Sequence, residues 1–369
     1  MKGAISSLVL ARNGKQILVA THPDGDIPGS SKHPLLSLWS TQGKLIWEQR
    51  VKFPIKDVAI SAGGDLIVLA THLDELIGMD SRGRRIWTTE GVCKPYVIQE
   101  PPRVVCYHDD DAGPRVAFDI LDWAGKKVGQ FPIQGDVVAF KFSEDQKNLA
   151  IALTGGEIVV FGADFQPVWR KKIDGEVIDL AVAGAEGTNR LAPSATPSST
   201  PAFQVAALVR TGPKSEKIAF FGDKGQSMGQ VSPTFPVEQL ESSTRGDRVF
   251  YYGNSTAGQW VGSTSLSVLK EVWKQGESTF SRYSGSINLS SGLVWVGIEH
   301  SAEQSGDQSV EQSMTRESRV MVYDEAGKRV WDLGLPKDDA AYIFSHRITM
   351  VPNWFVVGTD DAKLSVYQF

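Results

Sequence analysis

A unit of about 40 residues recurs along the whole chain, and this repeat limits the fold more than any other feature of the sequence. One copy reads IVLATHLDELIGMDSRGRRIW, from Ile67 to Trp87. An earlier copy with a longer loop reads ILVATHPDGDIPGSSKHPLLSLWSTQGKLIW, from Ile17 to Trp47. Residues 5–22 also align without gaps on residues 55–72, so the first residues are predicted to belong to the fold and not to a signal peptide.

Each unit except the last contains four short apolar segments separated by turn residues, and helical periodicity is nearly absent. In one unit the segments read VVAFKFS, LAIAL, IVVFG and ADFQPVW. Four strands in about 40 to 45 residues is the spacing of a propeller blade. The third segments of the successive units begin near Leu36, Leu76, Ala117, Ile158, Ile218, Trp260, Val320 and Leu364.

These units predict an all-β fold, a β-propeller of four-stranded blades with eight blades, or seven if one unit is misassigned. The last unit, residues 342–369, has only three strand-like segments, so the last blade is expected to be three-stranded unless an outer strand comes from residues upstream of Met1. We expect residues 1–369 to form a single domain. Residues 183–201 and 299–318 lack the apolar residues needed to join a core and are predicted to be surface loop insertions.

The fourth segment of most units carries a Gly in its turn and ends at or near a Trp. Gly adopts the positive φ that a tight hairpin between the third and fourth strands requires. The large apolar Trp is suited to packing one blade on the next. The Trp residues concerned are Trp47, Trp87, Trp169 and Trp331.

This fourth segment resembles the blade of the PQQ-like propellers, whose units run Asp-x-x-x-Gly-Lys-x-x-Trp with varying turn length. Asp80, Gly83 and Trp87 match best, together with DEAGKRVW from Asp324 to Trp331. The stretch AISAGGDLIVLATH is more similar to WD-repeat and bacterial WD-like units. The resemblance implies a bacterial propeller, similar to eight-bladed outer-membrane-assembly lipoproteins and quinoprotein-like propellers. The similarity concerns the fold only, since a shared fold does not imply a shared function.

Composition excludes several classes of protein. A hydrophobic content of 41% and a net charge of -5 indicate a globular chain and argue against a nucleic-acid binder. No stretch approaches the ~18 apolar residues of a transmembrane helix. The sequence leaves the compartment open: cytoplasmic if Met1 is the true start, periplasmic or outer-membrane-associated if an upstream segment has been removed.

The loops between the second and third strands of the units are strongly acidic. They span residues 22–34, 72–75, 108–115, 154–157, 211–216, 253–258, 299–318 and 359–363. They hold 16 Asp or Glu and 5 Lys or Arg, a charge of -11, which leaves +6 for the rest of the chain. In a propeller these loops share one face, so that face is predicted to favour a basic partner surface. Polar loops that simply collect charge are the alternative explanation.

Five of the six histidines lie in these loops, and His22, His72, His108 and His300 follow the second strand of their units. Equivalent positions on adjacent blades are expected to lie roughly 10 Å or more apart, too far to share a zinc ion with bonds of about 2 Å. We therefore predict no metal site. The candidate partner-binding residues, on three consecutive blades, are His22, Asp24, Asp26, His72, Asp74, His108, Asp109, Asp110 and Asp111.

No catalytic constellation is found, and we predict neither catalytic residues nor a cofactor. The segment GQSMG, residues 225–229, matches a nucleophile elbow but occupies the hairpin-turn position of its unit. Quinoprotein dehydrogenases commonly hold their cofactor against a disulfide between adjacent cysteines, whereas Cys93 and Cys106 are 13 residues apart. If a turn centres on Pro101 and Pro102, these sulfurs lie about two residues out of register, so a disulfide is less favoured and is left open.

The function predicted from the sequence is a non-catalytic scaffold that mediates protein–protein interaction through the acidic, His-bearing loops. The expected partner is another protein with a basic surface. One alternative is a subunit of a bacterial envelope assembly. The other is an enzyme, or a binder of small ligands or metals, that uses the central channel.

Overall fold

A computed structural model gives the architecture of the protein. The structure describes residues 5–21, 33–91, 93–108, 118–131, 133–143, 145–183, 204–212, 215–243, 247–255, 258–265, 269–277, 285–290, 293–302, 315–324, 326–334, 354–358 and 364–368. All regular elements among them are β-strands, and they form two compact units. Unit 1 contains residues 1–135 and 341–369, and unit 2 contains residues 136–340.

Unit 1 begins with three antiparallel sheets of four strands, paired in chain order. Sheet 1 contains β1 (Ile5–Leu10), β2 (Gln16–Thr21), β3 (Leu35–Ser40) and β4 (Leu45–Arg50). Sheet 2 contains β5 (Ile55–Ile60), β6 (Leu66–Thr71), β7 (Glu75–Asp80) and β8 (Arg85–Glu90). Sheet 3 contains β9 (Lys94–Ile98), β10 (Arg103–Tyr107), β11 (Phe118–Leu121) and β12 (Lys127–Gln130).

Unit 2 contains four more sheets of the same kind. Sheet 4 contains β13 (Val137–Phe142), β14 (Leu149–Leu153), β15 (Glu157–Phe161) and β16 (Pro167–Lys172). Sheet 5 contains β17 (Glu176–Val182), β18 (Val205–Gly212), β19 (Ser215–Phe221) and β20 (Ser227–Val231). Sheet 6 contains β21 (Gln239–Ser242), β22 (Arg248–Ser255), β23 (Gly258–Ser265) and β24 (Lys270–Glu277). Sheet 7 contains β25 (Gly285–Ser290), β26 (Leu293–Ala302), β27 (Thr315–Asp324) and β28 (Arg329–Gly334).

The last sheet belongs to unit 1 and pairs two described strands, β29 (Trp354–Gly358) and β30 (Leu364–Gln368). The first segment of the predicted last blade, within residues 342–353, lies outside the described residues. Seven sheets therefore show the predicted four strands, while the total number of blades stays a prediction.

The core lies between neighbouring sheets, because the second and third strands are apolar on both faces. All six residues of β6 and all five of β14 are buried. One apolar cluster joins Leu18 and Leu38 of sheet 1 to Ile67 of sheet 2. Similar clusters join sheets 2 and 3, sheets 4 and 5, and sheets 5 and 6. Sheets packed face to face in this way bury apolar surface that one sheet alone would leave in water.

The Asp of the repeat motif fixes the turn between the third and fourth strands. Asp80 Oδ1 accepts hydrogen bonds of 2.9 Å from the backbone N–H groups of Arg82 and Arg84. Asp122 and Asp324 accept the equivalent pairs in sheets 3 and 7. The N–H of Arg84 is the main reason why the pKa of Asp80 is lowered.

The Gly and Trp of the motif connect neighbouring sheets in what we call the Trp–Gly contact. Trp47 of sheet 1 lies on Gly83 of sheet 2, where an added Cβ would be 3.0 Å from the indole. The indole Nε1 of Trp47 donates a 2.9 Å hydrogen bond to the carbonyl of Ser81 in the same turn. Two independent reasons therefore favour Gly at residue 83: its backbone has a φ of +77°, and the indole of Trp47 occupies the space that a side chain would need.

The Trp–Gly contact recurs in both units. Trp87 of sheet 2 lies on Gly125 of sheet 3, where a Cβ would be 2.6 Å from the indole. Its Nε1 donates to the Trp123 carbonyl at 2.8 Å. Trp169 of sheet 4 lies on Gly225 of sheet 5 at an equivalent 3.0 Å. The predicted packing of each Trp on the next blade is confirmed for these three residues.

Sheets 5 and 6 exchange the two partners of this contact. Gly229 occupies the position of the Trp in the fourth strand of sheet 5. The next turn carries Leu269 at a φ of +47° in the position of the Gly. A Cβ at Gly229 would lie 2.5 Å from Cδ1 of Leu269, so the Leu side chain fills the space that the Trp fills elsewhere.

Every four-stranded sheet has a β-bulge in its fourth strand, at the residue before the Trp position. The extra residues are Ile46, Ile86, Val128, Val168, Met228, Val272 and Val330. All except Met228 are apolar side chains exposed by 43–53%. A bulge interrupts the regular row of N–H and C=O groups, which protects an edge strand from unwanted pairing.

Cys93 and Cys106 form a disulfide, although the sequence did not favour one. The predicted register is correct, since Cys106 pairs with Pro95 and not with Cys93. Cys93, however, precedes the first residue of β9, and the Cα–Cα distance is 5.3 Å, within the range of disulfides. Both residues are buried, at 2% and 1% exposure.

The hairpin in the second predicted insertion is longer than we expected from the sequence. Glu299 pairs with Ser318, and the pairing continues to Ala302 and Thr315. Residues 299–302 and 315–318 therefore extend β26 and β27, and residues 303–314 lie outside the described part of the chain. In the first insertion, Ala183 is described and buried, while residues 184–201 are not described.

Candidate functional site

The β6–β7 hairpin of sheet 2 presents two of the predicted partner-binding residues. His72 follows the last residue of β6, as predicted, and its backbone N–H donates to the Pro54 carbonyl at 3.0 Å. Asp74 has a φ of 60°, and its carbonyl accepts a 2.7 Å hydrogen bond from Gly91. Both side chains are exposed. The backbone of this loop is thus fixed to the sheet while its side chains remain accessible.

His108 follows β10, but its side chain packs against its own sheet. Its Nε2 lies 3.2 Å from Oδ2 of Asp119 on β11. Lys127 of β12 places its Nζ 2.7 Å from the other oxygen of the same carboxylate. The residue after β10 and one residue each of β11 and β12 therefore form one partly buried polar cluster. Asp119 and Lys127 were not predicted from the sequence.

The other six predicted partner-binding residues belong to the β2–β3 and β10–β11 connections. They lie outside the described residues and are His22, Asp24, Asp26, Asp109, Asp110 and Asp111. Within the described part of the chain, no hydrogen bond or ion pair joins His72, Asp74 and His108 to one another. The position of His300 was predicted wrongly, because it lies within β26 opposite Glu317 and not in a loop.

The described residues hold neither a cluster of metal ligands nor a nucleophile elbow. No group of three His, Cys, Asp or Glu among them is close enough to hold a metal ion. The GQSMG segment is a hairpin turn, as predicted, since Gly225 N–H donates to the Gly222 carbonyl at 3.0 Å and Ser227 begins β20.

A charged cluster that the sequence did not predict lies on the first strands of three sheets in unit 2. Lys141 of β13 forms an ion pair with Glu241 of β21. Asp179 lies on β17, the first strand of the sheet between them. Its Oδ2 accepts a 2.8 Å hydrogen bond from the Leu240 backbone N–H, so β17 and β21 are joined directly.

Burial dominates the electrostatics of this cluster. Desolvation raises the pKa of Asp179, while the Lys141 ammonium and the N–H groups of Leu240 and Leu180 oppose that rise. The Glu241 carboxylate raises it further. Lys141 and Glu241 are less buried, at 31% and 18% exposure. The cluster holds two carboxylates and one ammonium. The ion pair between Lys141 and Glu241 joins sheets 4 and 6, and the hydrogen bond of Asp179 joins sheets 5 and 6.

A second cluster, in sheet 6, surrounds Tyr251. Its hydroxyl donates to Glu271 Oε2 at 2.8 Å, and burial together with this carboxylate raises the pKa of Tyr251. Lys274 places its Nζ 4.0 Å from the ring centre of Trp260, a cation–π contact. Phe235 packs against both aromatic rings. Phe235 belongs to the segment between β20 and β21, so these contacts pack that segment onto sheet 6.

The sequence carried a signal for the Lys141 cluster that the repeat pattern obscured. The first strands alternate apolar residues, and VVAFKFS, VIDLAV and QLES each place one charge within that pattern. A charge inside a partly buried strand is more stable with a partner of opposite charge. That preference predicts paired charges on these strands, although it does not predict which strands pair.

Comparison with known proteins supports the fold. BamB from Moraxella catarrhalis matches with a TM-score of 0.61 and 16% identity, covering 98% of this chain and 96% of that chain. The C-terminal WD40 domain of Sif2 matches with a TM-score of 0.64 and 15% identity, covering 100% and 96%. Sqt1 from Chaetomium thermophilum matches with a TM-score of 0.66 and 12% identity, covering 100% and 97%. The fold is a β-propeller.

The propeller fold confirms the predicted fold class and the resemblance to WD-like and BamB-like propellers. At these identities the likeness extends to the fold and not to the function. No family model matches the chain, and no curated protein sequence matches it. Among the described residues of the propeller, no helix is long and apolar enough to span a membrane.

Proposed function

We propose that this propeller is a non-catalytic scaffold that binds another protein with a basic surface through its acidic second-to-third-strand loops. The proposal rests above all on the charge of these loops, -11 in a chain of -5. Rigid sheets that hold polar loops suit a propeller to interaction with a partner. The residues assigned to the interface are His22, Asp24, Asp26, His72, Asp74, His108, Asp109, Asp110 and Asp111.

The described loop at His72 and Asp74 supports the proposal in unit 1. Its hydrogen bonds to Pro54 and Gly91 hold the backbone, so little conformational entropy would be lost when a partner binds. The exposed Asp74 carboxylate adds to the negative field that attracts basic surfaces and accelerates encounter. This field is screened by salt, so the binding is expected to weaken as ionic strength rises.

A titration with a cationic probe tests the proposal. Binding of a labelled oligolysine peptide to the full chain would be followed by fluorescence anisotropy at about 0.1 M salt. The test variant replaces Asp109, Asp110 and Asp111 by Asn. Since an exposed charge pair contributes about 0.2–1 kcal/mol, three neutralised carboxylates should weaken binding by about tenfold.

A matched control removes the same charge at the opposite strand ends. Asp65, Asp164 and Asp223 are exposed residues of first-to-second-strand or third-to-fourth-strand turns. Their triple replacement by Asn should leave the affinity for oligolysine within about twofold of the parent chain, since exposed charges beyond a Debye length of about 10 Å are largely screened. Equal weakening by both triple variants would contradict the assignment of binding to the second-to-third-strand loops.

A second candidate, a subunit of a bacterial envelope assembly, is favoured by the Cys93–Cys106 disulfide. Disulfides persist mainly in oxidising compartments such as the periplasm. This candidate is tested by alkylating free thiols in the denatured protein immediately after lysis of its native cells. The intact mass then shows how many cysteines were alkylated. Two unmodified cysteines are expected if the chain resides in the envelope, whereas two alkylated cysteines would argue for a reducing compartment.

A further inference from the structure

The turns at one end of sheets 1, 2 and 3 carry a net positive charge. Because each sheet is antiparallel and paired in chain order, its first-to-second-strand and third-to-fourth-strand turns lie at the same end. In unit 1 this end, here called the basic turn end, comprises residues 11–15, 41–46, 61–65, 80–86, 99–103 and 122–128. It holds nine Lys or Arg and four Asp or Glu, a charge of +5 in a chain of -5. The equivalent residues of sheet 4, 143–148 and 162–168, have a charge of -2, so the fold itself does not require positive turns.

The cations of the third-to-fourth-strand turns are accessible to a partner. Lys44, Arg82 and Lys126 lie in these turns of sheets 1, 2 and 3, and all three residues are exposed. Asp80 and Asp122 stand at the start of the turns of sheets 2 and 3 and are only partly exposed. Their carboxylates accept hydrogen bonds from the turn backbone. In these turns the more exposed charges are therefore cationic.

An exposed aliphatic residue follows the cations in each of the three sheets. The bulge residues Ile46, Ile86 and Val128 are exposed by 46%, 53% and 50%. Each follows a Lys or Arg by one or two residues. Aliphatic side chains in water contribute little to the stability of the isolated protein, whereas they gain free energy when a partner removes them from water. The basic turn end thus combines cations with apolar groups that a partner could cover.

Contacts between the sheets join these turns into one surface. Trp47 of β4 lies on Gly83 in the turn of sheet 2, and Trp87 of β8 lies on Gly125 in the turn of sheet 3. Between the first-to-second-strand turns of sheets 1 and 2, Asn13 Nδ2 donates a 2.7 Å hydrogen bond to the carbonyl of residue 63. The backbone that carries the cations and the aliphatic residues is therefore fixed from sheet 1 to sheet 3.

We propose that the basic turn end binds the surface of a membrane that contains anionic lipids. Its Lys and Arg side chains contact the headgroup phosphates, while Ile46, Ile86 and Val128 enter the boundary between headgroups and acyl chains. A bilayer suits cations that are spread over three sheets at one end, because lipids can move laterally to meet charges that are fixed on a protein. Single-stranded nucleic acid fits less well, since its bases stack on aromatic side chains and these exposed apolar residues are aliphatic.

Co-sedimentation of the full chain with vesicles tests the proposal. One set of vesicles contains phosphatidylcholine with about 30% phosphatidylglycerol, and the other contains phosphatidylcholine alone. Binding to the anionic vesicles at about 0.1 M salt should be saturable and at least tenfold tighter than binding to the neutral ones. The double variant Lys44→Gln, Lys126→Gln should bind the anionic vesicles about 30-fold more weakly, because each basic residue near an anionic surface adds to the attraction.

A matched control removes two Lys at the opposite strand ends. Lys52, in the β4–β5 connection, and Lys56, the second residue of β5, are both exposed. Five residues of extended strand, about 16 Å, separate Lys56 from the turn that follows β5, which exceeds a Debye length of about 10 Å. The double variant Lys52→Gln, Lys56→Gln should therefore bind the anionic vesicles within about twofold of the parent chain.

A second matched pair tests the aliphatic residues. Ile86 and Val168 occupy equivalent bulges and are both 53% exposed, but Val168 belongs to sheet 4, whose turns have a negative charge. Ile86→Ser should weaken binding to the anionic vesicles about fivefold, whereas Val168→Ser should change it by less than about twofold.

Three results would overturn the proposal. The first is absence of binding to the anionic vesicles, and the second is equal weakening by the two double Lys variants. The third is tighter binding of a labelled oligoglutamate peptide than of the anionic vesicles, which would assign the basic turn end to an acidic protein partner.

Discussion

Adding one methyl group at Gly125 should destabilise the protein far more than adding it at Gly43, although the two glycines have the same backbone conformation. Their φ values are +78° and +77°. Forcing an L-residue into this left-handed region costs about 1–2 kcal/mol at either position. Any additional loss in the free energy of unfolding at Gly125 therefore measures the contact between sheets 2 and 3.

The size of that further loss follows from the surroundings of Trp87. A Cβ at Gly125 would lie 2.6 Å from the indole, well inside ordinary contact. The indole cannot retreat, because a Cβ at Gly78, on its own sheet, would lie 2.0 Å from it, and its N–H is bonded to Trp123. Overpacking of this kind costs about 1–3 kcal/mol. Gly125→Ala should lose about 2–5 kcal/mol, and Gly43→Ala only about 1–2 kcal/mol.

Urea denaturation followed by tryptophan fluorescence measures both losses. The free energies of unfolding of the two variants and the parent chain would be compared at unchanged m-value. The double variant Trp87→Ala, Gly125→Ala adds a stringent check, because removal of the indole removes the clash. Its loss should be smaller than the sum of the two single losses by more than about 0.5 kcal/mol. Equal losses at Gly43 and Gly125, or full additivity in the double variant, would refute the Trp–Gly contact.

Three further predictions follow from the described contacts. Gly229→Ala should lower the melting temperature less in a Leu269→Gly background than in the parent chain, because the strain at the φ of +133° is common to both backgrounds while the clash with Leu269 is removed; equal losses would contradict the exchange. The pKa of Asp179 is raised in the folded state, so protonation of this carboxyl favours folding. The stabilisation from the protonated carboxyl is fully present below the ordinary Asp pKa of 3.8 and is lost as pH rises through the raised pKa of the folded state. Asp179→Asn should therefore gain stability relative to the parent chain as pH rises from acid to neutral in urea titrations, and a pH-independent difference would contradict this. Lys141→Met should cost about 1–3 kcal/mol in the same assay, because it leaves Glu241 without its ammonium; a loss below about 0.5 kcal/mol would show that the ion pair is unimportant.

The fold could be predicted from the sequence because it is repeated. The motif around Asp80, Gly83 and Trp87 has a separate physical reason for each residue, and all three reasons are visible in the structure. The motif predicted that each Trp packs on the next blade, but it did not reveal that the residue which Trp47 contacts there is the turn glycine, Gly83. A contact across sheets has no fixed spacing in the sequence, so only the fold shows it.

The candidate site was less predictable than the fold. The position of His108 after its strand was predicted, yet its proximity to Asp119 depends on the pairing of β10 with β11, separated by residues that carry no apolar pattern. Lys141 and Glu241 are 100 residues apart and meet only because their sheets are near neighbours in unit 2. Strand register alone does not predict the disulfide, because Cys93 precedes β9 and is not held to the register of that strand.

Hydrogen–deuterium exchange of the full chain, with and without the oligolysine peptide, tests most directly whether the acidic loops bind a basic partner. The account predicts slower exchange of backbone amides in residues 22–34, 72–75 and 108–115, and unchanged exchange in the turns at the opposite strand ends, such as residues 40–44 and 80–84. Slower exchange confined to those opposite turns, or no change in the three loops at saturating peptide, would contradict it.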